Sequence, residues 1–424
     1  MIILILGSGG REHALSWKIS KSSLCDKIYI APGNGGTDKI GTNVDIDINN
    51  FHEVKSFILD KKIDLVIVGP EDPLVNGIVD FINNNEDLND IKIFGPSKKG
   101  AQLEGSKDFS KDFMFRNNIP CGASKTFSKE TFDNGVEFIK SLSPPYVLKA
   151  DGLAAGKGVL IVDNKDEAIK ELHSMLIDKK FGDASKNVLI EEFLDGIELS
   201  VFVITDGKNY IMLPEAKDYK RIGEKDTGPN TGGMGAISPV SFANETFLKK
   251  VEEKIIKKTI EGIQADEIEY KGFLFIGLMN VSGEPYVIEY NVRMGDPETQ
   301  VVIPRIENDL LEVIIKCIDG ELDKIKIKPL NKFVSTVILA SNGYPNSYEK
   351  GDEINNLEEI DESKIFHAGT KNNKGKIESN GGRVLAATGF GKTIEDALSK
   401  SYIIANNISW KNKYFRRDIG KDLI

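Results

Sequence analysis

Val287-Ile288-Glu289-Tyr290-Asn291-Val292-Arg293-Met294-Gly295-Asp296-Pro297-Glu298-Thr299-Gln300 opens as an apolar strand and turns polar on one side. Glu289, Asn291 and Arg293 recur at period two, so they share one strand face. That face carries a carboxylate, an amide oxygen and a guanidinium, and Asp296 and Glu298 follow beyond a glycine. Hard oxygen donors suit Mg2+, which is usually shared with substrate phosphates. An arginine beside such a metal can clamp a moving phosphoryl group. The alternative is a polar strand face with surface salt bridges. Gly295 and Pro297 weigh against it, because they make the segment a poor plain strand.

At 424 residues the chain has the length for about two to four domains with real cores. Its formal net charge is −10, so no global positive field recruits nucleic acid or an anionic membrane. Any phosphate ligand must find local cations. Cys25, Cys121 and Cys317 lie far apart without a CxxC, which points to a reducing compartment and no zinc site. His13, His52, His173 and His367 form no ligand cluster in sequence. No apolar run reaches the length of a signal or membrane segment. A soluble, cytoplasmic protein is expected, with no fixed-period repeat.

Over the first hundred residues, β-rich runs at 1–6, 27–30, 63–68 and 91–94 alternate with amphipathic helical stretches. Phe51, Val54, Phe57 and Ile58 fall on one helical face, for example. The pattern predicts an open parallel sheet. Each strand ends in turn chemistry: Gly7-Ser8-Gly9-Gly10, Ala31-Pro32-Gly33-Asn34-Gly35-Gly36, Gly69-Pro70-Glu71-Asp72-Pro73 and Gly95-Pro96. Ligands bind outside the carboxyl ends of such strands; ordinary βα turns are the alternative. The first turn is not a dinucleotide fingerprint, since Glu12 takes the third glycine position and the second strand ends in Ala31-Pro32 without a ribose-binding acid. Its backbone N–H groups and Arg11 could still hold one phosphate at the helix N-terminus.

The central region suggests a nucleotide site. A helix is expected over 102–117, ended by Ile119-Pro120. A strand into Ala150 runs to Asp151-Gly152-Leu153-Ala154-Ala155-Gly156-Lys157-Gly158, and 159–162 resumes it. Such a loop, with Lys149 and Lys157, can fold over phosphates, although a plain hairpin is equally compatible. It is not a Walker loop: Gly152 and Gly156 are too close, and Gly158 stands where a Ser or Thr would be. A strand over 188–194 ends in acids and is followed by another over 197–205, either a hinge reading adenine and ribose or a charged strand end. Glu215 to Arg221 then leads into Asp226-Thr227-Gly228-Pro229-Asn230-Thr231-Gly232-Gly233-Met234-Gly235. This glycine-rich stretch allows close backbone approach to an anion, with a disordered surface loop as the alternative.

The order of Gly7 to Ala14, Lys149 to Val159, Glu191 to Gly196, Asp226 to Ala236 and Arg293 to Gln300 closely resembles the phosphoribosylamine–glycine ligases (glycinamide ribonucleotide synthetases) of the ATP-grasp superfamily. The similarity continues through Phe366-His367-Ala368-Gly369-Thr370 and Gly381-Gly382-Arg383-Val384-Leu385. Tyr219 departs from it, standing where many members carry a histidine. No imidazole role is expected there.

The resemblance implies an α/β and α+β multidomain chain. An N-terminal open parallel α/β domain would cover 1–103, and an ATP-grasp core 104–120 with 189–328. A lid would cover 121–188 and a C-terminal α/β cap 329–424, with a strand at 333–340 and a helix over 393–408. It implies ligation of glycine to 5-phosphoribosylamine, with ATP giving ADP and phosphate through glycyl phosphate. Glu289 and Asn291 would bind Mg2+, with Mn2+ a possible substitute. Arg293, Lys149 and Asp296 would be catalytic. Lys107 and Lys149 would hold the ATP phosphates under Gly152, Ala155, Gly156, Lys157 and Gly158, and Glu191, Glu192, Phe193, Leu194 and Glu198 would line the adenosine pocket. Asp218, Lys220, Arg221, Thr231, Gly232, Gly233, Asp296, Pro297 and Glu298 would place glycine and phosphoribosylamine, with Gly9, Gly10 and Arg11 on the sugar phosphate. A monomer without nucleic-acid or membrane partners is expected. Two rivals are a biotin carboxylase-like ligase, to be separated by bicarbonate-dependent ATP turnover, and a non-catalytic nucleotide-binding protein on the same scaffold.

Overall fold

Strands buried on both faces read as continuous apolar runs, and the first element does so. Leu4 and Leu6 enter one core with Val66 and Val68, while Ile3 and Ile5 enter another with Leu65 and Ile67. The computed structural model describes residues 1–152, 158–358 and 360–424. The four expected N-terminal strands form at Ile2–Gly7, Lys27–Pro32, Leu65–Val68 and Lys92–Pro96, and they pair in parallel with the short Thr42–Asn43 at the edge. The helix Phe51–Lys61 starts at Asn50, whose side chain accepts from the Glu53 N–H. Val54 and Ile58 are buried beneath it, and each such side chain contributes roughly 1.5–3 kcal/mol.

This parallel sheet does not end at its last strand. Tyr270–Val281, twelve residues long, pairs antiparallel with Lys92–Pro96 at Tyr270 and Lys271. Further along it pairs with Ile197–Thr205 and Glu284–Asn291. One nine-stranded sheet therefore runs from the N-terminal region into the grasp region.

A separate antiparallel sheet has the order Ser124–Ser128, Asn187–Glu192, Tyr146–Ala150, Val159–Val162. The helices Phe132–Ser141 and Lys165–Leu176 cover it through Ile139, Leu172 and Met175. A third sheet has the order Lys217–Asp218, Gly235–Ser238, Phe333–Ala340, Arg383–Gly391, Ile365–His367. Its pairing crosses residue 329, so strands from 217–238 are built into the C-terminal unit. The helix Ile394–Asn407 is capped by Thr393 Oγ1.

One local expectation fails. The single helix expected over 102–117 is two helices, Lys98–Gly105 and Lys107–Arg116, broken at Ser106. Ser106 adopts φ −135° and ψ 119°, and its hydroxyl accepts from the Phe109 N–H at 3.1 Å. A serine that can cap competes with helix continuation. The break makes Lys107 the first residue of the second helix.

Candidate active site

Glu289 and Asn291 alternate to share one face of Glu284–Asn291, but Arg293, expected on the same strand face, lies beyond the strand's end in a bend, where Gly295 and Pro297 follow. Glu289 pairs with Gly277, and a side chain there would crowd it: a Cβ would lie 3.1 Å from Glu289 Cγ. Burial alone would raise the Glu289 carboxyl, yet Lys220, Lys149, Lys107 and Arg293 bring it below its ordinary value. These four cations come from four different places in the fold. Among the described residues, neither the Glu289 carboxylate nor the Asn291 amide makes a hydrogen bond to another side chain or to the backbone. Two such oxygen donors fit a hard divalent cation that takes its remaining ligands from phosphates and water. No larger cluster of His, Cys, Asp and Glu suited to a metal occurs among the described residues.

Lys149 lies on the second sheet and reaches the buried Glu191 carboxylate at 2.5 Å. Lys111 binds the other oxygen of the same carboxylate. Burial would raise Glu191, but the two ammonium groups hold it low. Two cations on one carboxylate leave net positive charge in the cleft. Lys107 Nζ lies 3.4 Å from the Asp151 carbonyl and 3.5 Å from that of Gly152. Its burial pushes its ammonium down, partly opposed by Glu289. The Ala150 N–H donates to the Gly158 carbonyl at 2.8 Å, and the Gly152 N–H to Ala184. Ala155, Gly156 and Lys157 lie outside the described residues. Beyond Glu191, Glu192 is exposed, and Phe193 and Leu194 are half-buried. Glu198 pairs with Lys220 at 2.6 Å, so a residue expected beside adenosine adjoins one expected beside the acceptor substrates.

On the other side of Glu289, burial pushes Asp218 up to about 6, with Glu198 and Glu289 adding and Lys220 opposing. Glu298 rises to about 8 through burial and the nearby Asp218. Ser200 Oγ lies 3.5 Å from Glu298 Oε1, and Gly295 lets the Glu298 carboxylate lie against the backbone, where a Cβ would come within 2.4 Å of it. Thr231 is bound to the Lys220 carbonyl through both its N–H and its hydroxyl, each at 2.7 Å. Gly233 has φ +115°, and a Cβ there would meet Pro297 at 2.5 Å. Arg221 turns to the Gly228 carbonyl at 2.8 Å.

The N-terminal helix meets the 293–300 segment end-on. The Arg11 N–H donates to Asp296 at 3.2 Å, and Arg11 Nη1 donates to the Met294 carbonyl at 3.1 Å. The Gly9 N–H donates to Glu12 at 2.6 Å. A Cβ on Gly10 would lie 2.3 Å from Gln300. The Glu12 carboxylate lies over Gly7 and Gly69. Two carboxylates, Glu12 and Asp296, thus occupy the positive end of this helix, and Glu12 takes up the space that a dinucleotide fingerprint keeps open with glycine.

Several site residues escaped sequence reasoning. Arg293 donates to Glu71 at 3.2 Å and to Glu104 at 2.6 Å. Glu71 sits in a turn already marked as a ligand edge, whereas Glu104 lies within a helix and carries no local signal. Burial alone would raise Glu71, but Arg293 and Arg11 hold it down to about 2. Burial pushes Glu104 up to about 7 even against Arg293. Arg383, from the C-terminal sheet, donates to the carbonyls of Gly232 at 2.7 Å and Gly233 at 3.3 Å. It also binds the carbonyl of Asp296. Its Gly-Gly-Arg setting was the available clue. Lys111 had none.

Family models for phosphoribosylglycinamide synthetase match in three parts: the N domain over 1–104, the ATP-grasp (A) domain over 105–299 and the C domain over 334–422. The phosphoribosylamine–glycine ligase of Vibrio parahaemolyticus is 45% identical over 99% of this chain and 98% of its own length. A bifunctional purine biosynthetic protein of Pichia angusta is also 45% identical over 99% of this chain, which spans only 53% of that longer relative. The crystal structure of phosphoribosylamine–glycine ligase from Thermotoga maritima superposes with a TM-score of 0.85 at 38% identity, covering 99% of this chain and 100% of that one.

Proposed function

The chain belongs to the phosphoribosylglycinamide synthetase family, ATP-grasp ligases that join glycine to 5-phosphoribosylamine in purine biosynthesis, and we propose that its residues divide this ligation between a phosphate half and an acceptor half. The family fold binds ATP and uses a divalent metal. The observation that carries the division is the placement of Glu289 and Asn291 on one strand face, with Lys107, Lys149, Lys220 and Arg293 near enough to hold the Glu289 carboxyl low.

A carboxylate is a poor electrophile, and an oxide is a very poor leaving group. Transfer of the γ-phosphoryl group of ATP to glycine's carboxylate gives glycyl phosphate, which the ribosylamine attacks as phosphate leaves. Such transfer needs positioning and charge neutralisation more than a nucleophilic side chain. Lys107 and Lys149 hold the phosphates, Lys149 being oriented by Glu191. Glu289 and Asn291 would hold Mg2+, or Mn2+ in its place, and the ion would supply charge neutralisation to the phosphate oxygens. Arg293, fixed by Glu71 and Glu104, directs its remaining N–H groups to the transferring phosphoryl. Glu191, Glu192, Phe193 and Leu194 line the adenosine side, and the second sheet serves as lid. Asp218, Lys220, Glu298 and the Thr231–Gly233 turn place glycine. Asp296 orients the 9–11 backbone and Arg383 around phosphoribosylamine.

Glycine labelled with heavy oxygen in its carboxylate tests the chemistry. One labelled oxygen is expected in inorganic phosphate, with ADP as the nucleotide product. AMP, or unlabelled phosphate in a single turnover, would overturn it.

A further inference from the structure

Tyr219 lies between two residues of the acceptor half, Asp218 and Lys220, but belongs to a different environment. It is buried in the C-terminal core with Met234, Ile237, Leu398 and Ile419. Its hydroxyl donates to Asp422 at 2.6 Å. The other Asp422 oxygen binds Lys217, whose ammonium also lies 4.6 Å from the Tyr219 ring centroid. The Arg416 guanidinium, 1% exposed, lies 5.5 Å from the same ring.

The contacts repeat along the segment 414–424. Tyr414 Oη donates to the Ile222 carbonyl at 2.8 Å. Arg416 donates to the Arg221 carbonyl at 3.0 Å and to Asp226 at 2.7 Å. Asp418 orients Arg416 at 2.8 Å and accepts from the Lys225 N–H at 2.6 Å. Four side chains of one segment thus grip residues 217–226. That segment is itself fixed to the C-terminal sheet through paired backbone bonds between Tyr414 and Ala340.

We propose that the segment 414–424 braces the acceptor half, with Tyr219 as the positioning residue through which Asp422 holds Asp218 and Lys220 in place. In this short extended stretch Tyr219 is drawn to the brace, while Lys220 pairs with Glu198 on the side of the half-buried Glu289. The aromatic ring spans the distance to Asp422 and fills the core, which gives the tyrosine at this position a purpose. The proposal rests on Asp218 and Lys220 placing the acceptor substrates.

The test is steady-state kinetics of Tyr219→Phe, Asp422→Ala and their combination, with Asp218→Asn alongside. Tyr219→Phe keeps the ring and removes only the hydroxyl. Loss of a part-buried bond to a charged group is expected to raise KM for glycine or phosphoribosylamine about tenfold, with KM for ATP and the melting temperature nearly unchanged. The double variant is expected to match the more affected single, because Tyr219→Phe removes the donor and Asp422→Ala the acceptor of the same bond. Unchanged acceptor constants, or a uniform loss of activity accompanied by a lowered melting temperature, would overturn the brace. If Asp218→Asn also leaves both acceptor constants unchanged, the reading of the acceptor half fails and the brace with it. If Asp218→Asn raises them and Tyr219→Phe does not, the brace alone fails.

Discussion

The Arg293 guanidinium donates to the Glu104 carboxylate at 2.6 Å, across 189 residues of sequence. Glu104 also accepts from the Val292 N–H at 2.8 Å, so one side chain fixes both the backbone and the head group of the arginine. Glu71 takes the guanidinium Nε. A planar fork can satisfy both acids at once, and an ammonium on a flexible stem cannot. Arg293→Lys is therefore expected to lower kcat/KM by at least about a hundredfold, roughly 3 kcal/mol in transition-state stabilisation. Glu104→Gln, which keeps the bond from Val292, is expected to cost about tenfold. Near-normal turnover of the lysine variant would remove Arg293 from the phosphoryl site.

Glu289→Gln retains the shape of the side chain but removes its charge from the centre of four cations. Turnover is expected to fall by at least about a hundredfold at saturating ATP. Circular dichroism should be unchanged, since no hydrogen bond within the described residues depends on this carboxylate. Full activity at any divalent-metal concentration would refute its role as a ligand.

Lys149→Met leaves Glu191 facing Lys111 alone. Removing one partner of a buried ionic cluster costs about 3–5 kcal/mol when the remaining charge is uncompensated, and less here because Lys111 stays. The expected outcome is KM for ATP raised about tenfold or more, with KM for glycine little changed. Isothermal titration with a non-hydrolysable ATP analogue measures this directly, and unchanged affinity would exclude Lys149 from the nucleotide site.

His13 and His367 join the N-terminal helix to the C-terminal sheet. The His367 N–H donates to His13 Nδ1 at 2.8 Å. Burial holds His13 down at about 3 and pushes His367 below its ordinary value as well. A folded-state value below the unfolded 6.5 means that the unfolded chain takes up the proton first. The stabilisation is complete above about pH 6.5 and is lost as pH falls towards 3. By pH 5 the stability lost through His13 alone amounts to about 2 kcal/mol. Chemical denaturation at pH 7 and pH 5 should show a smaller loss for His13→Gln, whose amide oxygen can accept the same bond without titrating. Equal pH dependence in the two proteins would contradict the assignment.

The sequence by itself determined the elements whose causes are local. Apolar runs between glycine- and proline-rich turns marked the four parallel strands. The period-two spacing brought Glu289 and Asn291 onto one strand face. Even local reasoning failed at Ser106, where two local preferences compete and the cap prevails over the helix. Only the tertiary structure decided that Lys107, Lys149 and Lys220 would surround Glu289, that Glu71 and Glu104 would orient Arg293, and that Arg383 would reach Asp296 from the far sheet. It also merged the parallel and antiparallel strands into one sheet through Tyr270–Val281. The physical reason is that a charge leaves no periodic trace of its partner. Side-chain pairing across long sequence separations is set by how the sheets pack, and in a buried cleft each ion must find a counter-ion or a ligand once packing has excluded water.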